Sequence, residues 1–449
     1  MAADDPTRGA TREAPAIEHC DVAVVGGGPA GSTISTLLSR RGHRVMLFEK
    51  DRHPRFHIGE SLLPRNLPLL ETLGVADEVA RIGMYKPSVE FHAPGDDRSQ
   101  PFRFADAIDP SHPHAWQVRR SEFDQILFRN AERNGVLVHE QTRVADAAID
   151  ADGVTLSVID ADGAHRRIRA AHLVDASGRD TFMSGRLGRK IRHPRHMSAA
   201  IYGHFTGARR LDGEREGAIS VFWFEHGWFW FIPLSDGTTS VGAVCWPYYL
   251  KTRRTDPSRF LLDTIEQAPV LAQRLRDAKL IAPATATGNY SYLSTRMTGD
   301  RVTLVGDSLA FIDGLLQWRL PRDEKRLLRG RPGRWILQAP GRSGTPARRL
   351  RTPGQRGLRQ FSWLIFRMTH PIMQRLFLEP RNDLRLRDAV VSLLAGDVYG
   401  RFAVDWRLWM FKAVFYANLL TNPRIAWRAW RRRRVQIAPS TVQATDGSG

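Results

Sequence analysis

Asp21-Val22-Ala23-Val24-Val25-Gly26-Gly27-Gly28-Pro29-Ala30-Gly31 runs a short valine-rich segment straight into a G-x-G-x-x-G turn. Such a run favours a strand. A helical stretch follows, Ser32 to Arg41, then a second strand, Val45 to Phe48, which ends at Glu49. Strand, glycine turn, helix, strand and acid together form the context in which this fingerprint holds a dinucleotide. Gly26 allows the tight turn, Gly28 lets a pyrophosphate approach the backbone, and Gly31 lets helix and strand pack closely. The helix N-terminus supplies free N–H groups for phosphate, and Ala30 in the turn before it is a further cofactor-binding candidate. Glu49, 18 residues after Gly31, is placed to accept from a ribose hydroxyl.

Three further segments point to FAD as the dinucleotide. Leu173-Val174-Asp175-Ala176-Ser177-Gly178-Arg179 resembles the D-A-S-G-R turn of flavoprotein hydroxylases. Arg301-Val302-Thr303-Leu304-Val305-Gly306-Asp307 resembles their G-D motif, which implies that Asp307 meets the flavin ribitol or ribose. Trp116-Gln117-Val118-Arg119-Arg120 precedes a predicted helix, Ser121 to Asn134, and the resemblance implies that Arg119 is aimed at FAD.

Composition bounds the rest. The chain has 449 residues, 42% of them apolar, enough for a large core and two or three structural units. No apolar run reaches membrane-spanning length, and Met1 to Ile17 lacks the apolar core of a secretory signal. With only Cys20 and Cys245, neither a disulfide framework nor a cysteine metal site is expected, and no metal is assigned. A cytoplasmic location is the expectation. The formal charge of +19 invites a nucleic-acid reading, but the excess is local. Eleven Lys/Arg against two acids lie between Gly314 and Gln355, with a second cluster at Arg431 to Arg434. No nucleic-acid-binding motif accompanies them, so no nucleic-acid partner is expected.

Trp228-Phe229-Trp230-Phe231-Ile232-Pro233 and His53-Pro54-Arg55-Phe56-His57-Ile58-Gly59-Glu60-Ser61-Leu62-Leu63-Pro64 narrow the class. Residues two apart on a strand share a face, so Trp228 and Trp230 can form one wall. W-x-W-x-I-P and G-E-S-L-L-P resemble the signatures of flavin-dependent halogenases, within the tryptophan halogenase superfamily and closer to its phenol and pyrrole branch. The resemblance covers most of the chain. It implies that the tryptophan wall separates flavin from substrate and that Ser61 lies in the cofactor segment. It further implies that reduced flavin, O2 and chloride give hypochlorous acid, which travels to a lysine beside the substrate. Lys86, in Gly83-Met84-Tyr85-Lys86-Pro87-Ser88, occupies that position. A desolvated lysine loses its proton readily and can act as a neutral nucleophile. Glu225 and His226, beside the W-x-W strand, read as loop residues.

The match breaks after Asp313. The family continues with a halide-holding turn containing S-S-G and then a long helix. This chain instead reads Gly314-Leu315-Leu316-Gln317-Trp318-Arg319 and a run of Arg, Gly and Pro to Gln355, where five prolines exclude a long helix. Read from the second nucleotide of each codon, Gly314 to Arg329 can encode VFSSGVYLAMKSAFFE, the missing turn and helix. Compensating frame changes near residues 314 and 355 account for both edges of the break, the alternative being a genuine divergent basic insertion, and stop codons in that frame would exclude the frame changes. The run itself is expected to be disordered, which bears on FAD and halide binding.

The sequence therefore predicts an α/β protein: a Rossmann-like FAD-binding domain of the flavoprotein monooxygenase type, a β-sheet substrate domain and a helical C-terminal region. The FAD domain takes 20–85, 101–179 and 288–355, and the substrate domain takes 86–100 and 182–287. The helical region is 356–435, between terminal tails 1–19 and 436–449. Apolar spacing predicts helices over Phe361–Leu376, Leu384–Tyr399, Trp406–Leu420 and Arg424–Arg434. The last mixes Trp with Arg, which reads first as a solvated helix end with positive charge at its C-terminus and otherwise as a face for a membrane surface or an acidic carrier protein. The expected activity is FADH2-dependent chlorination of an electron-rich phenol or pyrrole, free or tethered to a carrier protein, with a flavin reductase as partner. The alternatives are a monooxygenase or oxidoreductase acting directly at the flavin, and an inactive remnant without the halide site.

Overall fold

The computed structural model describes residues 17–188, 190–192, 199–288, 291–311, 359–398 and 401–437. The anomalous run 314–355 and most of the two tails lie outside the described residues.

The valine-rich segment forms a strand, Glu18–Val25, at the centre of an eight-stranded sheet. It pairs in parallel with Val45–Phe48 on one side and with His165–Asp175 on the other. Leu137–His139 and Val302–Leu304 extend the parallel set at its two sides. The carboxyl ends at Val25, Phe48, Asp175 and Leu304 therefore open in one direction, which is where such sheets bind ligands. The first half of His165–Asp175 also pairs with Val154–Ile159, which pairs with Arg143–Ile149, as an antiparallel extension.

The helix after the fingerprint is Pro29–Ser39, three residues earlier than its apolar spacing suggested, because Pro29 is preorganised for the first helical turn. Gly26 holds φ +103°, and a Cβ on Gly31 would lie 1.9 Å from the Gly26 carbonyl oxygen. Only glycine fits at either place. The helix predicted over 121–134 is Arg120–Arg133, with Phe123, Leu127, Phe128 and Ala131 buried.

A second eight-stranded sheet holds the tryptophan strand, Gly227–Pro233, between Ile219–Phe224 and Thr239–Cys245. Ser88–His92 and Ser99–Arg103 form one edge, so the chain enters this sheet directly after Lys86. Strand alternation divides the core. Phe229 and Phe231 pack on helices Pro257–Ile265 and Pro269–Arg274, while Trp228, Trp230 and Ile232 face the C-terminal helices.

The C-terminal region is helical at 359–365, then Pro371–Leu378, Leu386–Leu394, Phe402–Thr421 and Pro423–Ile437. The continuous helix expected over Phe361–Leu376 is broken, because Pro371 lacks an N–H and starts a new helix capped by His370 Nδ1. Arg65 ties the region to the first domain through Asp397 (2.8 Å) and Asp109 (3.0 Å).

Candidate active site

A cavity of about 380 Å³ opens at the carboxyl ends of the parallel strands, within the usual range for ligand sites. Gly26, Gly28, Pro29 and Ala30 line one side, Glu49 and Arg55 another, and Ser177, Gly178, Arg179, Gly306 and Asp307 the far side. The helix starting at Pro29 has no side-chain cap and no acid in its first turn, so its N-terminus presents backbone N–H groups and a positive dipole end. Glu49 is buried and held in place: Oε2 accepts from Gly27 N (2.8 Å) and Arg55 Nη2 (3.2 Å), and Oε1 accepts from Asp51 N (3.0 Å). A carboxylate has about four acceptor sites, so one is left for a hydroxyl. A glycine cradle, an uncapped helix and a fixed acid suit an adenine dinucleotide, and the residues present fit FAD.

Asp307 reaches the cavity while enclosed by protein, and this desolvation pushes its carboxyl up to about 7 against the opposing pull of Arg120 and Arg179. Asp175 does not line the cavity. It is fully buried and accepts from Ser177 N (2.9 Å), Ser177 Oγ (2.6 Å) and Met183 N (2.7 Å), so it shapes the turn that presents Ser177 to Arg179.

Arg119 and Arg120 diverge at the start of their helix. Arg119 turns away from the cavity to Asp236 (2.7 Å) and Thr238 (2.6 Å). Arg120 lines the cavity, donates to the Ile58 carbonyl (2.5 Å) and makes a two-pronged pair with buried Asp124 (2.8 and 3.0 Å). Arg55 reaches the same Asp124 at 3.4 Å and carries cationic charge beside Gly28. Sequence reasoning passed over Arg55, Arg120 and Arg179, although each stands inside a quoted motif.

Lys86 ends a short strand, Met84–Lys86, paired with Ala115–Gln117. Its side chain is 1% exposed. Nζ donates to Ser61 Oγ (2.8 Å) and to the Leu62 carbonyl (2.9 Å), and lies 5.2 Å from the centre of the Phe104 ring. Burial brings the amine down to about 7. Ser61 therefore contacts Lys86 and is not among the residues lining the cavity. Its neighbour Glu60 is buried, with Oε1 2.6 Å from His204 Nε2, and Oε2 has no hydrogen-bond partner among the described residues. His204 lies mid-strand in Ala199–Thr206, a placement no local pattern announces.

Trp228 and Trp230 are buried, their rings 6.4 Å apart. Trp230 Nε1 donates to Ser240 Oγ (3.2 Å), and its ring lies over Gly242, where a Cβ would sit 2.3 Å from it. Both tryptophans share one core cluster with Phe104, so the wall and the lysine's aromatic neighbour belong to the same packed unit. His226 sits in the hairpin before the wall, its Nδ1 2.7 Å from Tyr248 Oη.

The FAD-binding domain family matches residues 19–311. A flavin-dependent halogenase of Armillaria mellea is 35% identical over 321 residues, 65% of this chain and 62% of that protein. The 1H-pyrrole-2-carbonyl-peptidyl-carrier-protein brominase of Pseudoalteromonas luteoviolacea is 31% identical over 305 residues, 66% of this chain and 73% of the brominase. The chain thus spans about three fifths of the length of the fungal relative. Among solved structures, a flavoprotein/dehydrogenase of Cytophaga hutchinsonii superposes with TM-score 0.78 at 25% identity, over 89% of this chain and all of that one. The myxobacterial chondrochloren halogenase superposes with TM-score 0.64 at 26% identity, over 86% of this chain and 99% of that one. Among the described residues no helix is long and apolar enough to cross a membrane.

Proposed function

Because this chain belongs to the flavin-dependent halogenases, FAD-dependent enzymes of the oxidoreductase type, we propose that it halogenates an electron-rich aromatic by way of Lys86. Chloride is the proposed halide, and the substrate a phenol or pyrrole, free or carried on an acyl carrier protein. When bound in its reduced form, the flavin supplies the activation of O2 that oxidises halide to hypohalous acid, with FADH2 delivered by a partner reductase.

The chain's own residues do the rest. The fingerprint glycines, with Ala30 at the helix start, seat the pyrophosphate. Glu49 takes the ribose, and Arg55 and Arg120 balance the phosphate charge. The tryptophan wall keeps the aromatic substrate from the flavin, so oxidation is confined to what the small acid can carry.

Lys86 receives it. A neutral amine has two N–H donors, and Ser61 Oγ and the Leu62 carbonyl take both, which leaves the lone pair uncommitted. That lone pair takes the halogen from hypohalous acid with loss of water, or the amine holds the acid by a hydrogen bond. The observation that carries the reading is this fully buried lysine, its Nζ held by Ser61 Oγ and the Leu62 carbonyl with no acid paired to it among the described residues.

The test supplies purified protein with reductase-generated FADH2, O2, chloride or bromide, and a panel of phenols and pyrroles. A halogen mass shift on the aromatic is expected. Hydroxylated product instead assigns direct chemistry at the flavin and defeats the proposal.

A further inference from the structure

Helix Phe402–Thr421 has two apolar faces: one is buried, and the other is exposed except where the Tyr416 hydroxyl accepts from Trp363 Nε1 (3.1 Å) and Arg367 Nη2 (3.0 Å). Val404, Leu408, Phe411 and Phe415 are buried against the core. Phe402, Trp409, Tyr416 and Leu420 follow at spacings of seven, seven and four on another side. They are exposed, Phe402 and Leu420 at 82% and Trp409 at 68%. A solvent-facing helix surface ordinarily carries charge, and an apolar row of this length marks a contact surface. The next helix, Pro423–Ile437, continues the pattern with Trp427 (56%) and Trp430 (53%) exposed beside exposed Arg424, Arg428, Arg431 and Arg432.

Charge decides what fits. From Trp406 to Ile437 the sequence has eight Lys/Arg and no Asp or Glu. Arginine and tryptophan are also interleaved, with the Arg431 guanidinium 4.7 Å from the Trp427 ring. Aromatics with arginines on an amphipathic helix are the composition of segments that lie in the headgroup layer. A folded acidic partner would select a compact patch with a pocket for one anchor. Here the exposed side chains are strung along two successive helices, which suits a partner that is flat and continuous.

We propose that these two helices seat the protein on an anionic lipid surface, with the aromatic row in the headgroup layer and the arginines against lipid phosphates. The surface is independent of the flavin cavity, so the proposal stands or falls separately from the halogenase reading.

The test is flotation of the full chain with vesicles of phosphatidylcholine alone and of phosphatidylcholine containing phosphatidylglycerol, at low and high salt. Binding to the anionic vesicles only, weakened by salt, is expected, with a blue shift of tryptophan emission. Two double variants of exposed residues, Trp409→Ser with Leu420→Ser and Arg428→Glu with Arg431→Glu, should each weaken binding by at least roughly tenfold. Both should leave the melting temperature unchanged. Failure to float with either vesicle overturns the proposal. So does loss with the charge pair but not with the apolar pair, which is adsorption without seating. A dimer in light scattering that these variants dissolve, or capture by an acidic carrier protein with no vesicle binding, assigns the face to protein and also overturns it.

Discussion

Lys86 Nζ lies 2.8 Å from Ser61 Oγ, and both side chains are buried. This links the G-E-S-L-L-P segment to the lysine. The serine and the Leu62 carbonyl hold the amine in place without supplying the negative charge that would keep it protonated.

The lysine's burial has a thermodynamic signature. Its amine is held at about 7 when folded against 10.5 ordinarily, so between these values the unfolded chain binds a proton that the folded chain does not. Stability from this group therefore rises with pH across that window, and below about 7 the full penalty applies. Relative to Lys86→Met, the protein should gain about 2–3 kcal/mol between pH 7 and 9.5. Denaturant midpoints of both proteins at the two pH values measure it. Parallel pH profiles would mean the lysine is solvated.

The two adjacent arginines separate by function. Arg120→Lys keeps the positive charge but loses the forked contact with Asp124 that fixes the cation at the cavity, and should weaken FAD binding by roughly tenfold or more. Arg119→Ala removes contacts to Asp236 and Thr238 only, and should change FAD affinity by less than about twofold. Titration of flavin fluorescence distinguishes them, and equal losses would contradict the assignment.

Gly242 gives Trp230 its place. A methyl group there would overlap the indole at 2.3 Å, so Gly242→Ala must displace the ring or the strand. A stability loss of about 1–3 kcal/mol is expected, with FADH2 oxidation retained and halogenated product per FADH2 reduced. Product yield against flavin turnover reads this directly. Unchanged coupling would remove the wall from the mechanism.

Much of this was legible in the chain. The fingerprint's strand, turn and second strand are local patterns, and Gly26 and Gly31 stand where backbone geometry admits no other residue. The two faces of the tryptophan strand follow from alternation alone. What was not legible depends on rotation and long-range contact. Arg119 and Arg120 differ by one residue at a strand-to-helix junction, so they leave the backbone in different directions, and no spacing tells which meets the cavity. Glu60 and His204 meet across 144 residues, and neither has a local signal. The break before Pro371 could have been read, since proline seldom continues a helix. The coding DNA across residues 305–360 decides whether the halide turn is present, since residues 314–355 lie outside the described residues.

The central claim is that flavin makes the oxidant and Lys86 delivers it. The most direct measurement is Lys86→Ala under single turnover, following FADH2 oxidation by absorbance and aromatic product by mass. The account predicts FADH2 oxidation at the unmodified rate with halogenated product reduced by at least roughly a thousandfold, the scale of losing an essential nucleophile. Halogenated product at an undiminished level would contradict it.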